Sequence, residues 1–266
     1  MSKFQALSEF ISFTGKTAII TGAAAGIGAA TARRFAEAGA DLFLLDIDKD
    51  KLEKVKQSLS DYDVKISTYQ IDLSNKTEID KFWQSLDKQS PDMLVNNAGV
   101  YPFRDFLETD EEIVHKVMDI NLYAAYWMCQ HFIRRRLKVK KGGTIVNLGS
   151  IEAQLPFKDD LAHYTTSKAA VIALTRSLAR DYGGKGIRAN VILPGGIITE
   201  GTKSAAKQAL RHPGLIKDGI KFNSRLPMGR MGQPDDIARM ILVLSSAISG
   251  YMTGAVVPVD GGFLST

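Results

Sequence analysis

Cysteine is almost absent from this sequence: its 266 residues include one, Cys129, together with four histidines. A single cysteine excludes an internal disulfide framework and a thiolate metal cluster. It is typical of proteins in a reducing compartment, so we expect a cytoplasmic protein. His115, His131 and His212 show no metal-ligand spacing with acidic residues, and we expect no metal site.

Long hydrophobic runs and a strong excess of one charge are also lacking. No apolar run approaches the roughly 18 residues that suggest a membrane span, and polar residues interrupt the N-terminal apolar stretch where a signal peptide would lie. Lys and Arg number 34 against 29 Asp and Glu, a net charge of +5. The basic run at 134–141 has no interleaved aromatics and ends a predicted helix, where cations suit the helix dipole. We therefore expect no membrane and no nucleic-acid partner.

Short apolar, β-branched runs alternate along the chain with patterns of helical period. Hydrophobic residues make up 45% of the chain and charged residues 24%, which is typical of a globular protein with a sizeable core. The apolar runs show little inside–outside alternation, as expected of strands buried on both faces of a parallel sheet. The predicted strands are 17–20, 42–45, 66–71, 93–95, 144–148, 189–193 and 256–259.

This alternation predicts a single α/β domain over residues 1–266. We expect a doubly wound, Rossmann-type sheet of seven parallel strands with helices on both faces. Ser74 is expected to cap the helix that follows the third strand. The polar segment 201–225 falls between the last two strands and predicts a helical insertion. It is either a lid near the substrate site or an ordinary surface excursion.

A glycine-rich segment joins the first predicted strand to the first long helix. Residues 22–28 read Gly-Ala-Ala-Ala-Gly-Ile-Gly. Small residues let the backbone approach a pyrophosphate, and the helix N-terminus offers free N–H groups and the positive end of its dipole. Because strand, turn and helix follow in the required order, the segment predicts a dinucleotide site rather than a simple tight turn.

The end of the second strand carries a carboxylate, Asp46. A carboxylate there can accept hydrogen bonds from the adenosine ribose and would repel a 2′-phosphate. Ala25 and Ile47 are not basic, although Lys49 and Lys51 lie nearby. The sequence therefore predicts NAD in preference to NADP.

Tyr164 and Lys168 stand four residues apart and share one face of a predicted helix. An ammonium near a phenol favours the phenolate and lowers its pKa from about 10. Such a tyrosine can exchange a proton with an alkoxide near neutral pH. Taken alone, this spacing is common and usually marks a surface pair.

Taken together, these features resemble the short-chain dehydrogenase/reductase family over nearly the whole chain. The family's motifs occur in its order, each at the expected strand end or helix. The matching positions are 22–28, Asp72, 96–99, Asn121, Ser150, Tyr164, Lys168, Pro194, Gly195, Thr199, 253–254 and 260–262.

The resemblance implies four catalytic residues. Tyr164 would be the general acid for carbonyl reduction and the base for alcohol oxidation. Lys168 would lower the pKa of Tyr164 and bind the nicotinamide ribose. Ser150 would hydrogen-bond the substrate oxygen, and Asn121 would hold a water in a proton relay behind Lys168. The expected cofactor-binding residues are Gly22, Ala25, Gly26, Ile27, Gly28, Asp46, Ile47, Asp72, Leu73, Asn97, Ala98, Gly99, Tyr164, Lys168, Pro194, Gly195, Ile197 and Thr199.

The substrate is expected to meet Ser150, Glu152, Tyr164 and Gly196. The Glu152 carboxylate would suit a polyol, a sugar or a cationic group, and a solvated loop acid is the equal alternative. His163 adjoins Tyr164 and is expected to point away from the site, because neighbours on a helix face differently.

Two details depart from the family pattern. Gly149 stands where many relatives have a second serine, and Ser150 lies 14 residues before Tyr164, about one more than in many relatives. We expect both departures to be harmless, since Ser150 remains and one extra loop residue absorbs the spacing.

The sequence thus predicts an oxidoreductase that transfers a hydride between NAD(H) and a secondary alcohol or ketone, with polyols and sugars as candidates. One alternative is a 3-oxoacyl-thioester reductase of the acyl-carrier-protein type, which Asp46 disfavours. The other is a catalytically silent NAD-binding sensor on the same fold. The aromatics Tyr123, Tyr126, Trp127 and Phe132 and the family resemblance predict a homotetramer or homodimer, unless these rings only cover the sheet.

Overall fold

The computed structural model describes residues 6–200 and 224–266. Within them, one parallel sheet has the strand order β3-β2-β1-β4-β5-β6-β7. This confirms the predicted seven-stranded α/β fold, and the predicted strand ends differ from the observed ones by at most two residues. The strands are β1 Thr17–Thr21, β2 Asp41–Asp46, β3 Ile66–Gln70, β4 Met93–Asn96, β5 Gly143–Leu148, β6 Ile187–Pro194 and β7 Val256–Val259.

Helices cover both faces of the sheet. They are α1 Leu7–Ile11, α2 Gly26–Glu37, α3 Lys49–Gln57, α4 Lys76–Ser85, α5 Glu111–Met118, α6 Ala124–Lys138, α7 Ala162–Tyr182 and α8 Pro234–Ser245. Adjacent residues of β1 point to opposite faces: Ile20 joins the core under α2 and α8, while Ile19 joins the core under α4 and α6. Both cores exclude water, which explains the continuously apolar strands.

The sheet order reverses between β1 and β4. The chain runs outward from β1 through β2 to β3, then returns to β4 on the other side of β1. Such a reversal opens a crevice at the carboxyl ends of the strands, where ligands of doubly wound folds bind. The residues that follow β1, β4, β5 and β6 all meet at this edge.

Two local predictions can be compared directly with the structure. The prediction that Ser74 caps α4 is wrong: Asn75 is the N-cap and accepts a hydrogen bond from the Thr77 N–H at 3.0 Å, while Ser74 donates to Asp72. In the basic run, the Arg135 guanidinium donates to the Trp83 carbonyl, and Arg136 donates to backbone carbonyls and pairs with Asp92. These two cations therefore hold α6 against neighbouring loops.

The predicted insertion lies mostly outside the described residues, which omit 201–223. The chain resumes at Ser224, and Arg225 donates to the Thr266 carbonyl at 2.7 Å and lies over the Phe263 ring. The lid remains a prediction. Across the described residues, no helix combines the length and apolar character that crossing a membrane requires.

Candidate active site

Ser150 and Tyr164 meet at the carboxyl edge of the sheet. Ser150 follows β5 and is buried, and its hydroxyl accepts a hydrogen bond from the Glu152 N–H at 3.2 Å. Tyr164 lies in the first turn of α7, and its phenol is hydrogen-bonded to the Ser150 hydroxyl. The structure therefore brings together two hydroxyls that can both contact one substrate oxygen.

Lys168 lies one helical turn beyond Tyr164. Its Nζ donates to the Leu148 carbonyl at 2.8 Å and lies 5.9 Å from the centroid of the Tyr164 ring. The residue is only 4% exposed, and burial lowers its pKa to about 8. Because water is excluded, the ammonium is much easier to deprotonate than an ordinary lysine.

The pKa of Tyr164 departs from the sequence-based expectation. Burial raises it to about 12, the negative charge of Glu152 also raises it, and the hydrogen bond from Ser150 lowers it. The expectation that Lys168 lowers this pKa is thus opposed by desolvation of the phenol. Ser150 is the neighbour that favours the phenolate in this structure.

Asn121 lies in a π-helical turn, Asp119–Tyr123, between α5 and α6. Its side-chain amide accepts from the Val100 N–H at 2.8 Å and donates to the Val100 carbonyl and to the Ser167 hydroxyl. A Cβ placed on Gly99 would lie 3.2 Å from the Asn121 carboxamide oxygen and 3.3 Å from Lys168 Nζ. Asn121 therefore fixes the loop after β4 beside Lys168, and the predicted water relay remains a prediction.

The glycine loop fits a dinucleotide. A Cβ on Gly28 would lie 2.0 Å from the Gly22 carbonyl, so only glycine allows α2 to approach β1 this closely. A Cβ on Gly22, whose φ is +63°, would lie 2.9 Å from the Ala98 Cα. Among the described residues no side chain caps α2 at Ala25, which leaves its first-turn N–H groups available for a pyrophosphate.

Asp46 is bound to the glycine loop. One carboxylate oxygen accepts from the Ala24 N–H at 3.0 Å, and the other accepts from the Asp48 N–H at 3.1 Å. These bonds hold the carboxylate beside the loop, where the sequence predicted an adenosine ribose contact. Ile47 beside it is largely exposed.

Asn97 and Thr21 hold the loop after β4 against the glycine loop. The Asn97 amide donates to the carbonyls of Thr21 and Gly22 at 3.0 and 2.9 Å. The Thr21 hydroxyl accepts from the N–H groups of Asn97 and Ala98. Asn97 therefore shapes the cofactor cleft with its side chain, and Thr21 is a positioning residue that the sequence analysis did not assign.

The remaining predicted cofactor residues line the two ends of this crevice. Asp72 accepts hydrogen bonds from the Ser74 N–H and hydroxyl, and Leu73 is buried in the core beside it. Past β6, Ile197 packs its side chain into the core and forms a short parallel β-bridge with Gly232. Pro194 is the last residue of β6, and Gly195 and Thr199 follow it. Thr199 lies beside Gly26, so the segment after β6 crosses the glycine loop.

Glu152 is buried close to Tyr164. Its Oε2 accepts from the Phe157 N–H at 3.1 Å, whereas its Oε1 is buried with no hydrogen-bond partner. Burial raises the pKa of this carboxyl, although Lys158 nearby lowers it. Lys158 itself lies 5.8 Å from the centroids of both the Phe103 and Phe157 rings. Glu152 is therefore not a solvated loop acid.

His163 points away from Tyr164, as expected, and its Nε2 lies 2.8 Å from the Pro102 carbonyl. It thereby anchors the loop of Tyr101, whose ring packs edge-on against Tyr164 at 6.1 Å. Gly196 uses its carbonyl to accept from the Gly232 N–H. Within the part of the chain that is described, no cluster of His, Cys, Asp and Glu could hold a metal.

One departure from the family pattern, Gly149, lies in a tightly packed position. A Cβ on Gly149 would lie 2.5 Å from a Leu193 methyl group, so a serine there would require the core to shift.

Ser167, which the sequence analysis missed, joins Asn121 to the Tyr164 carbonyl through its hydroxyl. Only its position one turn after Tyr164 could have suggested it.

Comparison with known proteins agrees with this geometry. The family model described as enoyl-(acyl carrier protein) reductase matches residues 22–264. The chain belongs to the short-chain dehydrogenase/reductase family. It is an NAD(P)-dependent oxidoreductase.

Its relatives act on different substrates. Galactitol 2-dehydrogenase (L-tagatose-forming) of Cereibacter sphaeroides is 34% identical over 251 residues, covering 94% of this chain and 95% of that protein. A 3-oxoacyl-(acyl-carrier-protein) reductase of Chlamydia pneumoniae is 33% identical, covering 95% and 98%.

Among solved structures of similar proteins, one contains NADH and another contains NADP. A 4-hydroxyisoleucine dehydrogenase complexed with NADH matches with a TM-score of 0.85 and 31% identity, covering 95% of this chain and all of that one. A structure from Beutenbergia cavernae with bound NADP matches with a TM-score of 0.88 and 30% identity, covering 97% and 100%.

Proposed function

We propose that this protein is an NAD-dependent dehydrogenase of secondary alcohols, with a polyol or a sugar as substrate. The observation that carries the proposal is the buried group formed by Ser150, Tyr164 and Lys168 at the carboxyl edge of the sheet. In this group the hydroxyls of Ser150 and Tyr164 can both hydrogen-bond a substrate oxygen. Lys168, whose pKa is about 8, lies one helical turn beyond Tyr164.

The chemistry of oxidation is a proton transfer coupled to a hydride transfer. Tyr164 acts as the phenolate, which forms when its own proton is released toward the neutral amine of Lys168, and it then takes the proton of the substrate hydroxyl. Ser150 hydrogen-bonds the same oxygen while its charge develops. When held in the crevice, the nicotinamide would supply the hydride-accepting chemistry that turns the carbinol carbon into a ketone carbon. In reduction the same phenol returns the proton. Lys168 is poised to exchange a proton near neutral pH, because burial has lowered its pKa.

The choice of NAD rests on Asp46. Its carboxylate is held by two backbone N–H groups beside the glycine loop, which supports a role in binding the ribose hydroxyls. A 2′-phosphate in the same position would meet this negative charge. Solved relatives bind either cofactor, so the preference is a property of this chain's own residues.

Glu152 supports a polyhydroxylated substrate. Its Oε1 is buried without a hydrogen-bond partner, and the carboxyl lies near enough to Tyr164 to raise the pKa of the phenol. A buried acceptor left unpaired is costly, and a substrate hydroxyl next to the reacting carbon would satisfy it. The galactitol dehydrogenase relative oxidises a substrate of this kind.

A second candidate is reduction of 3-oxoacyl thioesters. The reductase relative and the description of the family model favour it. A silent NAD sensor is disfavoured, because Ser150, Tyr164 and Lys168 are all present and grouped. The candidates are separated by following the absorbance of reduced nicotinamide with polyols, sugars and an acetoacetyl thioester. Faster turnover of a polyol with NAD supports the proposal, and faster turnover of the thioester with NADPH overturns it.

The protein is further proposed to act in the cytoplasm as a homotetramer or homodimer. Its one thiol is buried, which suits a reducing compartment. Tyr123 and Tyr126 are nearly half exposed on one side of the π turn and α6, whereas Phe132 lies in the core. Exposed aromatics of this kind are typical of subunit contacts. The mass in solution tests this: a monomer would refute it.

A further inference from the structure

The segment after β6 crosses the dinucleotide cleft and reaches α3 on its far side. We define the strap as residues 195–200. The Thr199 methyl group lies 3.3 Å from where a Cβ on Gly26 would be, so the strap contacts the start of α2. On the other side, Thr199 is hydrogen-bonded to the Tyr101 hydroxyl. Thr199 thus lies between the glycine loop and the loop after β4.

The end of the strap is joined to α3 by an ion pair. The Glu200 carboxylate lies 3.5 Å from Lys51 Nζ, and Asp48 lies 3.5 Å from the same ammonium. Asp48 in turn donates its N–H to Asp46, the carboxylate proposed to bind the ribose. One backbone hydrogen bond and two ion pairs therefore link Asp46, Asp48, Lys51 and Glu200 in series.

Two carboxylates compensate the single charge of Lys51. The first turn of α3 also carries Lys49, for which the described residues offer no ion pair within 4.0 Å. A 2′-phosphate brings about two negative charges and needs a free cation. A lysine already held between Asp48 and Glu200 is a poor partner for it, and Glu200 adds repulsion of its own.

We propose that Glu200 is a second determinant of cofactor choice: by pairing with Lys51 across the cleft it keeps this cation from a 2′-phosphate. The inference rests on the proposed preference for NAD and extends it to a residue 154 positions away from Asp46 in the sequence. It also gives the pair a function, since an ion pair this exposed contributes little to folding stability.

The test measures binding rather than turnover. The dissociation constants for NAD⁺ and NADP⁺ are determined by calorimetry for the wild type, Glu200→Gln and Lys51→Gln/Glu200→Gln. We expect Glu200→Gln to shift the ratio of the two constants toward NADP⁺ by about three- to fivefold, the size of one exposed charge interaction. The double variant should lose this gain, because Lys51 is the cation that was freed. Lys49→Gln/Glu200→Gln, compared with Lys49→Gln alone, is the matched control and should keep the gain.

The outcomes are separable. An unchanged ratio in Glu200→Gln overturns the inference, and so does a gain that persists without Lys51. The effect should also weaken as salt is raised, because exposed charges are screened; a salt-independent gain would contradict the mechanism. Preference of the wild type for NADP⁺ would refute the proposed cofactor, whereas the change between variants tests Glu200 alone.

Discussion

Replacing Lys168 by methionine should make the protein more stable while it removes activity. Lys168 is 4% exposed and its charge is compensated by a carbonyl, Leu148, at 2.8 Å. Burial lowers its pKa from 10.5 to about 8. The folded state therefore binds fewer protons than the unfolded chain between these two pH values, and stability rises with pH across that window. Below about pH 8, burial of the Lys168 ammonium destabilises the folded state by its full amount.

The magnitude follows from the two pKa values. Their difference corresponds to about 3 kcal/mol of destabilisation at neutral pH. Methionine removes this cost but leaves the Leu148 carbonyl without its donor, which costs about 1 kcal/mol. The net gain for Lys168→Met near neutral pH is about 2 kcal/mol, or a rise in Tm of roughly 5 °C for a chain of this size.

The assay compares thermal unfolding of Lys168→Met and wild type at fixed protein concentration, at about pH 7 and about pH 10. Lys138→Met, in an exposed position at the end of α6, is the matched control and should not change Tm. The gain of Lys168→Met should shrink toward the higher pH, because most of the window between the two pKa values of the wild-type lysine has then been passed. A gain equal at both pH values, or a loss of stability near neutral pH, would refute the reasoning.

Three further predictions follow from other residues. Asp46→Asn should improve binding of NADP relative to NAD by about tenfold, because it removes a fixed charge; calorimetry giving an unchanged ratio would contradict this. Cys129, whose pKa burial raises to about 12, should have about 10³-fold less thiolate than an exposed cysteine. It should react with an aromatic disulfide reagent only after denaturation, and equal native reactivity would refute its burial. Glu152→Gln should raise Tm at neutral pH, since burial raises the pKa of this carboxyl. Ionising the buried Glu152 carboxyl destabilises the wild type only as the pH rises above the ordinary pKa of 4.5. A gain in Tm of Glu152→Gln that persists below this pH would count against the explanation.

The fold was predictable because its signals are local and repeated. Each buried strand is a short apolar run, and a turn and a helical pattern follow it. Even the uninterrupted apolar pair Ile19 and Ile20 satisfies both faces, because strand residues alternate and helices cover each side. The order of the motifs then identified the residues at each strand end, and the structure brings Ser150, Tyr164 and Lys168 together there.

Contacts between distant segments were not predictable. The bonds from Asn97 to the carbonyls of Thr21 and Gly22 link residues about 75 positions apart, and no local pattern encodes them. The same holds for Glu200 and Lys51. The pKa of Tyr164 was misjudged for a related reason: spacing indicated a nearby lysine, but desolvation depends on everything packed around the phenol.

The central claim is that Tyr164 moves the proton in an NAD-dependent oxidation. It is tested most directly by Tyr164→Phe, which keeps the ring and removes the hydroxyl. The account predicts that NAD binding is retained and that kcat falls at least about 100-fold with the best polyol or sugar substrate. Turnover near the wild-type rate in this variant would contradict the account.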